Sequence, residues 1–205
     1  MTHTLHRSGP FLNEDFVWLM YQAKGINDEN IKPKALAFLE AAEECHSENW
    51  GDVKSGNILE LSPEEIRSRI SDKSRLRGVF TSREQVTKFL KIIKEKDLGI
   101  SVVISGLLDE VLPAVKEAGL TPHTINFSLG VWGKKELLPS EDVLAVTTMC
   151  GHHMVSPRLV ERLVKDIKRG RTTPEKAALR LAKLCPCGIF NQVRAEKLLR
   201  KMAEE

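Results

Sequence analysis

Helix starts are written plainly along the chain. Ser62-Pro63-Glu64-Glu65 combines an N-cap serine, a proline at the first helical position and a glutamate placed to close a capping box. Ser82-Arg-Glu-Gln85 repeats the logic and leads into Val86, Phe89, Leu90 and Ile93, which share one helical face. Ser156-Pro157 opens a third helix with Leu159, Val160, Leu163, Val164 and Ile167 as its stripe, stopping at Gly170. Thr173-Pro174-Glu175 opens a fourth, with Ala177, Ala178, Leu181 and Ala182 inward. Ile31–Cys45, Leu108–Ala118 and Gln192–Ala203 complete the helical set.

Short β-branched runs lie between the middle helices. Ile100–Ile104 is bounded by glycine and followed at once by an amphipathic helix, and Thr124–Leu129 and Val143–Met149 read the same way. Arg77–Thr81 is a weaker strand ahead of the Ser82 helix, Phe16–Tyr21 is too short for periodicity to choose between strand and helix, and Gly51–Leu61 reads as a loop. This alternation predicts an α/β protein: a mixed or largely parallel sheet flanked by helices, with a C-terminal helical cap. On this reading one α/β domain spans 1–205. It has an irregular to helical part over 1–75, an α/β core over 77–149, and a helical cap over 150–205.

The cap carries the residues that matter chemically. Cys150 is expected at the C-terminal end of a strand, where open α/β sheets place ligands, and His152 and His153 follow it in the turn before a helix. Cys185-Pro-Cys187-Gly188 lies at a break between two later helices. The two short antiparallel helices between these motifs form a hairpin that returns the chain toward Cys150. Three thiols with one or two imidazoles make a soft donor set, suited to an iron–sulfur cluster or to zinc and poorly suited to magnesium.

Composition sharpens the choice. With 205 residues, 41% hydrophobic, the chain has enough apolar material for a core without a metal staple. That places an iron–sulfur cluster first and zinc second, in a redox, cluster-assisted or metal-delivery role. Competing readings are a non-metal enzyme or binding module using Cys150 as thiolate with His123 or His152 as base, and an interaction protein whose cysteines are core. The net charge of +3, with both signs interleaved, argues against a nucleic-acid surface. No apolar run approaches the ~20 residues of a membrane span. The first residues lack the apolar core of a secretion signal, so a cytoplasmic, thiol-preserving setting is expected. A small molecule or a protein is the expected partner.

Weaker candidates lie elsewhere. Ser105-Gly106 precedes a helix and offers backbone N–H groups to an anionic cofactor, although no Gly-rich fingerprint surrounds it and a plain strand-to-helix turn explains it as well. His123 and Asn126 flank the Thr124 run and offer acid–base chemistry. Cys45-His46 reads as a helix-end core residue and its solvated cap, and Asn49–Asn57 as a binding loop or a connector.

Overall fold

Phe16–Tyr21 is strand β1, and its unbroken apolar character follows from its position: it lies inside a sheet covered on both faces. The computed structural model describes residues 2–205, with side chains from residue 4 onward. Along the chain follow α1 (Ile31–Glu44), β2 (Asn49–Asp52), β3 (Gly56–Asn57), α2 (Pro63–Arg69), β4 (Arg77–Phe80), α3 (Arg83–Lys96), β5 (Ser101–Ser105) and α4 (Leu108–Glu117). Then come α5 (Glu141–Thr147), α6 (Pro157–Lys168), α7 (Pro174–Lys183) and α8 (Gln192–Glu204). The helix-start signals hold: Ser62 and Ser82 both close capping boxes, and Thr173 accepts from the backbone of Lys176.

The sheet runs β3-β2-β4-β1-β5, and every neighbouring pair is antiparallel. This corrects the expectation of a mixed or largely parallel sheet. β4 and β5 are joined through α3 and run the same way, as a strand–helix–strand rhythm suggests, but β1 is inserted between them and opposes both. β1 and β2 are split by β4 in the same manner. The resulting order is that of a ferredoxin-like βαββαβ unit, a topology that by itself says nothing of a bound cluster.

Two of the expected strands are absent from the sheet. Val143–Met149 is helical over α5: Glu141 and Asp142 occupy the first turn, where acidic groups favour a helix, and Val143, Ala145 and Val146 are buried. Its β-branched residues pack on a core rather than in a pleat, and a run this short shows too little periodicity to tell the two apart. Thr124–Leu129 has no strand partner. It belongs to an exposed segment in which Phe127, Leu129 and Trp132 are 65%, 87% and 81% accessible. In the opposite direction, Gly51–Leu61 contains most of a small hairpin of β2 and β3.

Side-chain alternation along β1 divides the core in two. Phe16, Trp18 and Met20 join α1, α3 and α4 residues on one face. Val17 and Leu19 face the other side, which α5, α6, α7 and α8 cover. Among the described residues, no helix is long and apolar enough to cross a membrane.

Candidate functional site

Cys150 and the Cys185–Cys187 turn meet beneath this second helical layer. Cys150 therefore follows a helix, not a strand, and the switch-point argument for its placement falls with the parallel sheet. Its amide bonds the carbonyl of Thr147, and its own carbonyl accepts from His153, whose backbone takes a left-handed φ of 56°. Cys185 ends the turn that leaves α7, and Gly188 turns the chain back with φ 75°. All three cysteines are at most 1% exposed.

Both turns are held by buried polar groups. The C-x-C turn lies directly against β2, where a side chain on Gly51 would reach 2.8 Å from Pro186 O and one on Gly188 would sit 2.2 Å from the Trp50 carbonyl carbon. Asn57 donates to Cys185 O at 3.0 Å, and Asn49 donates to Phe190 O at 3.2 Å. Arg7 ties the two cysteine segments together. Its guanidinium donates to Met149 O at 2.9 Å and to Ile189 O, and it pairs with buried Asp15. Asp15 also pairs with fully buried Arg194 at 2.8 Å.

The sulfurs are in contact. Cys185 Sγ stands 3.6 Å from Cys187 Sγ, and Cys185 is the main influence lowering the Cys150 thiol. Cys187 Sγ stands 3.7 Å from His152 Nδ1. Acceptance of a hydrogen bond from Cys185 is the main reason the Cys187 thiol is held down at about 5. Burial opposes this, while the Ile189 amide, the Arg77 charge and His152 reinforce it. The Cys150 thiol is lowered to about 6, again chiefly by Cys185, with the amides of Met154 and His152 assisting against burial and the Cys187 charge. Cys185 is pushed strongly up because it is the proton donor to both neighbours. One proton serves one acceptor at a time, so the cluster favours a thiolate at Cys187 with Cys185 protonated.

Among the described residues, no group of three or more His, Cys, Asp or Glu side chains is already arranged to hold a metal ion. The thiols instead hydrogen-bond one another. His152 is exposed and lines a cleft of about 600 Å³ whose walls come from the β1–α1 loop, the β2–β3 turn and the segment leading into β4.

Of the other sequence candidates, His153 borders the Cys150 turn and the rest lie elsewhere. His153 is exposed and contributes its backbone to the Cys150 turn. His123 and Asn126 are exposed in the irregular segment, where His123 Nδ1 bonds its neighbour Thr124 at 2.9 Å. Ser105 Oγ bonds Thr4 Oγ1 at 2.8 Å, and a side chain on Gly106 would meet Phe16 at 2.8 Å, which is the geometry of a filled strand-to-helix turn. Cys45 is buried in the opposite core, its thiol pushed up to about 11 by desolvation, and His46 is exposed. Sequence reasoning missed Arg7, Arg77 and the anchoring role of Asn57. The polar 49–57 segment carried a signal for the last; an isolated arginine carries none.

No family model matches the chain, and comparison with curated proteins and with solved structures likewise finds no match.

Proposed function

We propose that Cys150, Cys185 and Cys187, with His152 as fourth donor, are the ligands of a single soft metal ion, zinc in the first instance, at the foot of the cleft. The spacing of Cys185, Cys187 and His152 carries this reading, with Cys150 joined to it by its lowered thiol beside Cys185. Bonds of about 2.3 Å to sulfur and 2.0–2.1 Å to nitrogen put tetrahedral donors about 3.8 Å apart between sulfurs and about 3.6 Å apart between sulfur and nitrogen. The Cys185–Cys187 and Cys187–His152 separations are 3.6 and 3.7 Å. Loading releases the protons the thiols still hold; the lowered Cys150 and Cys187 thiols favour that release, and the raised Cys185 thiol opposes it until the ion itself drives its deprotonation. The amides of Ile189, Met154 and His152 lower the thiols they face and would act as an outer shell to a bound ion.

The donors are unequal. The three sulfurs are buried, whereas His152 faces the cleft, so it is the ligand that can yield its position to a bound molecule. An ion with such a position polarises an oxygen of that molecule as a Lewis acid. An iron–sulfur cluster is the second reading, favoured by apolar cores on both sheet faces that close without a metal staple. It requires the sulfurs to spread, because each binds a different iron. A dithiol exchange centre fits less well, since its attacking thiolate needs an exposed approach.

Anaerobic purification with metal analysis and a visible spectrum tests the reading. One equivalent of zinc in colourless protein is expected, lost on Cys187→Ala and retained on Cys45→Ala. Brown protein containing acid-labile sulfide selects the cluster. Failure to retain zinc or iron after anaerobic reconstitution overturns both.

A further inference from the structure

The cleft above His152 is lined by more cations than carboxylates. Lys24, Lys54, Lys73, Arg75 and Arg77 all line it. None of the five forms an ion pair with a carboxylate among the described residues. Three carboxylates share the cleft, but each has an oxygen engaged by backbone. Asp28 accepts from the Gly25 amide at 2.9 Å, Asp72 from the Lys32 amide at 2.9 Å, and Asp52 from the Arg75 amide at 3.4 Å. Five cations facing three carboxylates leave two positive charges.

Arg77 makes the arrangement more than a scatter of surface lysines. It shares the face of Val79 on β4, the face toward the C-terminal helices and the thiols. Its Nη1 is buried and has no hydrogen-bond partner. A buried guanidinium nitrogen left open in this way calls for an acceptor.

We infer that the cleft binds a small, doubly charged oxyanion, a phosphate monoester or a dicarboxylate, seated between the Lys54–Arg75 wall and His152. The cavity volume accommodates a compact metabolite-sized anion. The inference deepens the metal-centre reading and rests on it for the anion's role as the molecule the ion acts upon; the binding itself needs only the cleft.

The test is titration of the full chain with glycerol phosphate, succinate and acetate, followed by amide chemical shifts. Saturable shifts at Asp52–Lys54, Arg75–Arg77 and His152 are expected for the dianions. Acetate should bind about tenfold or more weakly, and dianion affinity should fall with added salt as the cations are screened. Tighter binding of glycerol phosphate assigns a phosphate ester, and tighter binding of succinate a dicarboxylate. The double variant Lys54→Met with Arg75→Met should weaken the preferred dianion about tenfold or more while leaving metal content and melting temperature unchanged. Absence of saturable shifts, shifts elsewhere, equal binding of acetate, or an unaffected double variant overturns the inference. Running each titration on chelator-stripped and zinc-reloaded protein separates the two claims. Zinc retained without anion binding defeats this inference alone, and anion binding without zinc retention defeats only the metal centre.

Discussion

Replacing Gly188 by alanine tests whether the cysteine turn is seated on the sheet as described. Two costs are separable. At φ 75° a residue with a Cβ sits in the left-handed region, at about 1–2 kcal/mol. The added carbon would also lie 2.2, 2.4 and 2.5 Å from Trp50 C, Gly51 N and Trp50 Cα, all backbone atoms of β2 that cannot rotate aside. Relief requires lifting the turn off the strand. That adds an overpacking cost of about 1–3 kcal/mol, and roughly 1 kcal/mol more if Asn57 loses Cys185 O. The total is about 3–6 kcal/mol, a large share of the ~5–15 kcal/mol typical of a folded domain. Gly25 supplies the control: its φ is 74° and nothing lies within 4 Å of its added carbon, so Gly25→Ala carries the backbone cost alone, about 1–2 kcal/mol. Denaturant unfolding of both variants beside the parent measures the difference. If Gly188→Ala is no more destabilising than Gly25→Ala, the turn does not rest on β2 and the placement of Cys185 and Cys187 is wrong.

Other expectations are simpler to state. Asp15→Ala should cost about 3–5 kcal/mol in denaturant unfolding, because it strands the buried charges of Arg7 and Arg194; a loss below ~1 kcal/mol would contradict the paired network. The Cys187 thiol lies at about 5, below its ordinary 9.0, so its contribution to stability is complete above pH 9 and is lost as pH falls through 5. Thiolate absorbance of the metal-free folded protein should disappear over the acid end of that range, and Cys187→Ala should remove much of it; an absorbance that appears only near pH 9 would refute the shared-proton arrangement. Ser82→Ala should cost about 1 kcal/mol through loss of the α3 capping box, without changing metal content.

How much of this was legible in the chain depends on the range of the cause. Helix starts were readable because a cap is local: Ser62, Ser82 and Thr173 satisfy amides three positions away, and nothing distant revises that. The three cysteines and His152 stood out for a similar reason, since thiols beside turn-forming proline and glycine are a local anomaly. Strand partners are not local. Ile100–Ile104 and Phe16–Tyr21 have similar apolar runs, and nothing in either says that β1 enters between β4 and β5 and makes the sheet antiparallel. Val143–Met149 became a helix because the open sheet face needed a covering layer, whereas the equally β-rich Thr124–Leu129 found no partner strand. The sequence by itself determined the helices that carry their own start signals, the apolar supply and the donor atoms, but not α5. Tertiary structure alone decided that Arg7 bonds carbonyls on both cysteine segments, that Asn57 anchors the C-x-C turn, and that Arg77 acts on Cys187, because those contacts join residues brought together only when the sheet and helical layer close.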